Sequence, residues 1–448
     1  MFSHGSRNTS AFWATGLMLF ALFFGAGNLI FPALLGQQSG THVFMAMAGF
    51  LLTGAGLPLL GILAIGYSGA ADVQSLASRV SPWFGLILTV LLYLTIGPLF
   101  AMPRTATVSF EVGIVPFLDV TDSAYLSWAL ALFSVLFFGL SYWLALSPGK
   151  LVDRIGKILT PLLLLSIAIL VGYSALHPMG ALQPPEAGYA AHPVVAGMID
   201  GYNTMDGIVS PIYAMIVIDA VLALGLHGRR QVLRMMTLSG MLAVFCLAWV
   251  YVFIAYMGAN SVTGIGLQHN GALVLAKTAL FYFGNAGKVL LAIIVFLACL
   301  TTAIGLITAC AAYFHRIIPR ISYRSFATVF TLISCLLANK GLEDIIRLSL
   351  PVLMLLYPLI IVLILLAFLH RAFAGSRVVY VCTMVATLWV GILDAARLVF
   401  GFSDTTVAQI NQWLPLYAIG MGWVIPATIG FMVGWILHRT GIFNMRKL

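Results

Sequence analysis

Phe23-Phe24-Gly25-Ala26-Gly27-Asn28 and Asp200-Gly201-Tyr202-Asn203-Thr204-Met205-Asp206-Gly207 are the two stretches that decide the fold. Each is a polar, glycine-bearing interruption inside a long apolar run. A helix in lipid has no water to satisfy its backbone, so an interruption there must line a protein-walled cavity. Two such interruptions at corresponding places in two halves are the sequence mark of a transporter's binding site.

The rest of the chain agrees. Of 448 residues, 62% are hydrophobic and 8% charged, where a soluble domain carries about 25% charge. An all-α integral membrane protein follows. The net charge of +9 does not imply a nucleic-acid partner, because the basic residues sit in short loops where they set topology. Lipid and a small-molecule substrate are the expected partners. The first apolar run is too long for a signal-peptide core and lacks a small-residue cleavage site, so it reads as a span. Cys246, Cys299, Cys310, Cys335 and Cys382 lie within apolar runs with no CxxC spacing, and read as free thiols.

A span needs roughly 20 apolar residues. Twelve are expected, at 11–35, 43–66, 83–113, 124–146, 156–176, 193–225, 235–257, 288–313, 323–338, 349–370, 378–400 and 414–437, in one polytopic domain, 1–448. The connection 258–287 leaves room for a short amphipathic helix, Ala272 to Phe283, over a cavity mouth. With the N-terminus inside, sixteen Lys and Arg fall on the cytoplasmic side and five outside, with Arg104 inside span 3. That bias puts both termini in the cytoplasm. Spans 1 and 6 both carry a break and have opposite topology. The expectation is an inverted repeat, 11–176 (helices 1–5) against 193–370 (helices 6–10), followed by helices 11–12 in 378–437.

Four constellations stand out. At the first break, Gly25 and Gly27 relieve the helical preference of the backbone. Asn28 is placed to cap the resumed helix, with Pro32 near its start. Freed amides there suit a carboxylate; a plain kink is the alternative. At the second break, Asp206 is a carboxylate at membrane depth, and such a group marks function by default. Ser210-Pro211 reads as a cap and first helical residue, which leaves Asp206 in the unwound stretch facing a substrate ammonium or a cation. The alternative is that Asp206 only caps the half-helix. In span 8, Ala298, Thr301 and Thr302 share a helical face. Two hydroxyls and a carbonyl make a hard-oxygen site for a small cation, unless the threonines merely bond back to their own helix. In span 3, Arg104 and Glu111 lie two turns apart on one face. They pair with each other, gate an outer vestibule, or form a structural ion pair.

The stretches Ala21 to Pro32, Gly97 to Gly113, Gly201 to Asp206 and Ser147-Pro148-Gly149-Lys150-Leu151 resemble the bacterial branched-chain amino acid:cation symporter family, through nearly the whole chain. The span 3 motif is the most diagnostic. The resemblance implies sodium-coupled uptake of leucine, isoleucine and valine, and a leucine-transporter-like fold with a 5+5 inverted repeat plus two extra helices. The sodium:neurotransmitter symporters of that fold carry a Gly-Leu-Gly-Asn, matching Gly25-Ala26-Gly27-Asn28. By that likeness a sodium site falls on the carbonyls of Ala21, Phe24 and Ala298 and the hydroxyls of Thr301 and Thr302. The substrate site falls on Gly25, Ala26, Gly27, Asn203, Thr204 and Asp206, with Val209 and Leu306 as apolar neighbours. Asp206 stands where those symporters have serine. A second cation site on Asn28 and Thr204 is therefore a sodium site, a proton site or absent. Tyr93 is the only span 3 tyrosine able to stand for their carboxylate-binding tyrosine.

The expected function is sodium-coupled import of branched-chain amino acids across a bacterial inner membrane by alternating access. A proton-coupled permease of the same fold is the nearest rival, and a channel or sensor the next. A pump needs a phosphate loop, and Ser147 to Leu151 lacks the upstream glycine and the following Ser or Thr. No nucleophile–base pair suggests an enzyme. Ala418, Gly422, Gly430 and Gly434 form a small-residue stripe, either a dimer face or ordinary packing, and the oligomeric state stays open.

Overall fold

A computed structural model describes residues 3–118, 123–147, 159–223, 225 and 228–440. Pro148 to Leu151 of the fourth resembling stretch, and the basic residues Lys150, Arg154, Lys157, Arg446 and Lys447, lie outside them. The described residues form helices and no strand. Among the described residues, eight helices are long and apolar enough to cross a membrane, and shorter apolar helices cover Phe12–Phe23, Thr160–Leu176 and Tyr323–Ala338. The outward faces are apolar. On α8 (Ser123–Ala145), Trp128, Leu132, Leu136 and Trp143 are all exposed, as a surface solvated by lipid requires.

Span 1 is two helices, α1 (Ser3–Phe23) and α2 (Ala26–Ser39). Span 2 is α3 (Val43–Leu51) and α4 (Leu57–Ser68), joined through a wider turn at Leu52–Gly56. After a short α5 (Val73–Ala77) comes α6 (Pro82–Leu94), started by Ser81, whose hydroxyl accepts from Phe84 N–H at 3.0 Å, and by Pro82 in its first turn. Span 3 was expected over 83–113. It is interrupted at Thr95–Leu99, where Gly97 leaves helical geometry (φ −84°, ψ −119°) before Pro98, and it resumes as α7 (Ala101–Gly113). Proline has no N–H to continue the ladder and disfavours helix in the residue before it.

The second half runs α9 (Thr160–Leu176), α10 (Ala187–Ala191), α11 (Pro193–Tyr202), α12 (Asp206–Ala223) and α13 (Arg229–Ile265). Next are α14 (Gly271–Ile317), α15 (Tyr323–Ala338), α16 (Leu342–Leu369), α17 (Arg377–Phe400), α18 (Asp404–Trp413) and α19 (Val424–Thr440). The expected helix at 272–283 exists as an arm of α14, bent from it at Gly284, whose φ of 56° is left-handed. The arm begins on α2, where a Cβ on Gly271 would meet the Ile30 carbonyl oxygen at 1.8 Å. The last span starts later than expected. Leu416 (φ 71°) and Gly420 (φ 77°) are left-handed, so residues 414–423 are turns. Gly430 and Gly434 of the stripe pack on α17: a Cβ at either would meet its backbone, at 2.6 Å (Cys382 O) and 2.7 Å (Val379 Cα).

Around the two breaks, α2 packs along α13, α11 along α3, α12 along α4, and α7 along α14. The breaks therefore meet in the middle of the bundle.

Candidate substrate and cation site

At the first break the chain leaves the helix only for Phe24 and Gly25. Gly25 has φ −118° and ψ −158°, a backbone any residue adopts, and Gly27 is already inside α2. The expectation that both glycines relax the backbone is therefore corrected: both supply space. A Cβ on Gly25 would meet Thr302 Oγ1 at 2.7 Å, and one on Gly27 would meet Arg104 Nη2 at 3.0 Å and Asn203 O at 3.3 Å. Asn28 caps from within, its Oδ1 accepting from Gly25 N–H at 3.1 Å. Pro32 lies well inside α2, away from its start. The first amides of α2 have no partner within the helix.

At the second break Met205 takes a left-handed φ of 66°. Helix α12 starts at Asp206 itself, so the expectation that Asp206 lies in the unwound stretch is corrected: it occupies the first turn, where a helix favours negative charge. Its N–H donates to Thr204 Oγ1 at 3.3 Å. Ser210-Pro211 is not a cap. Ser210 Oγ donates at 3.0 Å to the Gly207 carbonyl, the group that Pro211, having no N–H, leaves unmatched.

The buried Asp206 carboxylate is held from two sides. Its Oδ2 accepts from Asn28 Nδ2 and, at 3.1 Å, from the Tyr251 hydroxyl. Asn28 Nδ2 also meets that hydroxyl. This cluster ties α2, α12 and α13 together. Sequence reasoning missed Tyr251, whose ring packs between Phe24 and Phe50 (centroids 6.5 and 5.2 Å away); nothing in its local pattern separates it from other tyrosines in apolar runs.

Arg104 does not pair with Glu111. Its guanidinium donates to the carbonyls of Asn203 (2.9 Å) and Thr204 (3.4 Å) and sits over the Phe31 ring at 5.6 Å. Glu111 instead lies beside the Leu342 backbone N–H, at the start of α16. Tyr93 is also elsewhere, stacked on Tyr313 with ring centroids 4.0 Å apart.

One cavity gathers most of the expected substrate residues. Gly25, Ala26, Gly27, Thr204 and Asp206 line it, together with Asn28, Arg104, Val209, Thr302 and Leu306. Asn203 does not; its carbonyl is turned to Arg104. The cavity's volume is ≈ 30 Å³, enough for a water or two and too little for a leucine, so binding requires the walls to move. A larger cavity, ≈ 490 Å³, lies between α1, α6, α12 and α14 and is lined by Met18, Tyr93, Asp219, Tyr313 and Arg316. At its edge Arg316 forms an ion pair with Asp72 and covers the Tyr313 ring at 5.4 Å.

The expected cation ligands come together in part. Thr301 Oγ1, fully buried, lies 3.0 Å from the carbonyl oxygens of both Ala21 and Ala298. Thr302 Oγ1 is 3.3 Å from the Leu22 carbonyl instead of the Phe24 one. Three of the five expected residues, Ala21, Ala298 and Thr301, thus meet where α14 crosses the end of α1, with Thr302 on the neighbouring Leu22 carbonyl, and the donor set is neutral, hard oxygen, which fits a small alkali cation.

Comparisons with known proteins agree with this architecture. The profile of the family described as "Branched-chain amino acid transport protein" matches residues 8–441. The chain is 45% identical over 423 residues to the branched-chain amino acid permease BrnQ of Bacillus subtilis, covering 94% of this chain and 95% of that one. It is 39% identical to the branched-chain amino acid transport system 2 carrier protein of Pseudomonas aeruginosa, covering 95% of each. Among solved structures, Mhp1, a nucleobase-cation-symport-1 family transporter, superposes with a TM-score of 0.60 at 12% identity over 97% and 94% of the two chains. MhsT in complex with L-phenylalanine gives 0.57 at 16% identity over 96% and 98%. The fold is that of the leucine-transporter group, and the chain belongs to the branched-chain amino acid transport protein family, a transporter and not an enzyme.

Proposed function

We propose that this protein imports leucine, isoleucine and valine by sodium symport across a bacterial inner membrane, with both termini in the cytoplasm. The observation that carries the sodium reading is the Thr301 hydroxyl placed 3.0 Å from the Ala21 and Ala298 carbonyls. A cation held by those oxygens and by Thr302 ties α1 to α14 beside Gly25, and so stiffens one wall of the substrate cavity. Each ligand then favours the conformation that binds the other, which is what coupling requires. The Ala26 and Gly27 amides and the Asp206 carboxylate offer opposite charges to the two ends of an amino acid, and Val209 and Leu306 meet its side chain. The cavity of ≈ 490 Å³ is the release path on the side where α1 begins.

The packing supports an inverted repeat as the machine for alternating access. Span 1 lies on span 7 through α2 and α13, while span 6 lies on span 2 through α11 with α3 and α12 with α4. Exchanging the two five-span halves converts one pairing into the other.

Asp206 favours one rival, since a buried carboxylate at the meeting point of three helices is also a proton site. Uptake of labelled leucine into proteoliposomes, with sodium, lithium or proton gradients imposed in turn, decides. Accumulation driven by sodium at constant pH is expected. Accumulation driven by a proton gradient without sodium overturns the sodium reading.

A further inference from the structure

We propose that Arg104 binds the carboxylate of the transported amino acid, in the role for which Tyr93 was the sequence candidate. The inference rests on reading the central cavity as the substrate site. Arg104 stands in the first turn of α7, just after the interruption at Thr95–Leu99. It is 4% exposed and lines the cavity. A buried guanidinium needs compensating charge. Its hydrogen-bond acceptors are neutral carbonyls, those of Asn203 and Thr204. Among the described residues no carboxylate comes within ion-pair distance of it, Asp206 included.

The remaining donors have a direction. Two carbonyl contacts use only part of the guanidinium's N–H groups. Nη2 would be 3.0 Å from a Cβ on Gly27, so the guanidinium abuts the first turn of α2, whose amides lack helical partners. A carboxylate lodged there receives N–H groups from the helix start and from the planar fork, the geometry in which arginine binds carboxylates most strongly. Asp206 lines the same cavity without pairing to Arg104. The two separated charges match a zwitterion, with its carboxylate at Arg104 and its ammonium toward Asp206. A ligand lacking the carboxylate leaves the arginine with only the longer-range attraction of Asp206.

The test is equilibrium binding to the purified full-length protein in nanodiscs, with L-leucine, L-leucinamide and 3-methylbutylamine as ligands. Wild type should prefer leucine to both amines strongly. Arg104→Gln should weaken leucine roughly tenfold to a hundredfold and leave leucinamide unchanged, so that discrimination collapses. Arg104→Lys keeps the charge without the fork; it should weaken leucine severalfold and retain a preference for the acid. The proposal is overturned if Arg104→Gln keeps the wild-type preference, or if either variant loses leucine and leucinamide equally, since a residue that only braces the second break would do that. Wild type that fails to bind leucine at all would instead remove the reading of the cavity, a separate outcome.

Discussion

At the first break, between α1 and α2, any residue could adopt the Gly25 backbone (φ −118°), but a Cβ there would press on Thr302 at 2.7 Å. At the second, between α11 and α12, Met205 keeps a buried side chain on a backbone (φ 66°) that side chains disfavour. The first break is limited by space and the second by conformation, at a cost on the order of 1–3 kcal/mol for such a residue. Their chemistry differs in the same sense. The first offers N–H donors at the start of α2 and carbonyls at the end of α1. The second offers a carboxylate, and carbonyls that Arg104 holds. Two interruptions that look alike in sequence thus bring opposite chemistry to one cavity, and on the proposed reading they meet the two ends of the substrate.

The largest expected effect tests the claim about space. Gly27→Val puts a branched side chain where Arg104 Nη2 and the Asn203 carbonyl already lie, at 3.0 and 3.3 Å. Helical backbone tolerates valine at a small cost, so the protein should insert and accumulate while leucine binding is lost. Normal leucine binding in Gly27→Val would reduce the first break to a kink. The same measurement on Gly25→Val should give the same loss through Thr302.

Asp206→Asn is the matching test of the second break. Asparagine keeps the volume and an oxygen for the Asn28 and Tyr251 donors, and removes the charge. If the carboxylate answers the substrate ammonium or a cation, leucine affinity should fall by about 3–5 kcal/mol, the loss on removing one partner of a buried charge pair. If it is a proton carrier, the variant should bind and exchange leucine and lose only uphill, pH-driven uptake. Binding, exchange and gradient-driven uptake across pH, with and without sodium, separate these outcomes. Wild-type behaviour in all three would leave Asp206 as a helix cap.

The breaks themselves were legible because lipid forbids unpaired backbone and glycine marks where it is tolerated. The partners were not, because they are set by packing between distant segments. Arg104 meets carbonyls 99 and 100 residues away, and Tyr251 meets Asn28 across 223. The seven-residue spacing of Arg104 and Glu111 suggested a shared face, yet Arg104 found backbone partners at the second break and Glu111 lies beside the start of α16. Local chemistry also misled at Ser210-Pro211. A serine before proline reads as a helix start, but the hydroxyl instead mends the carbonyl that the proline orphans. The interruption in span 3 was written as Gly97-Pro98, and passed unread because the apolar run continues through it.

The smallest expected effect separates the two threonines that brace the first break. Thr301 is fully buried, with two carbonyl oxygens 3.0 Å from its hydroxyl, one from α1 and one from α14. Thr302 has one, the Leu22 carbonyl at 3.3 Å, and also faces the cavity proposed to take the substrate. Valine matches threonine in shape and removes the hydroxyl, so each variant deletes one oxygen with little change in packing. Thr301→Val should raise the sodium concentration needed for half-maximal uptake the more, by about tenfold if a lost ligand is worth about 1 kcal/mol or slightly more, with maximal uptake of leucine preserved at high sodium. Thr302→Val should shift sodium dependence less and alter leucine affinity as well, because its hydroxyl touches both sites. Sodium titrations of uptake, normalised to the amount of inserted protein, read both quantities. If neither variant moves the sodium dependence, the threonines only join α14 to α1, and the cation must be sought where the two breaks meet, among Asn28, Thr204 and Asp206.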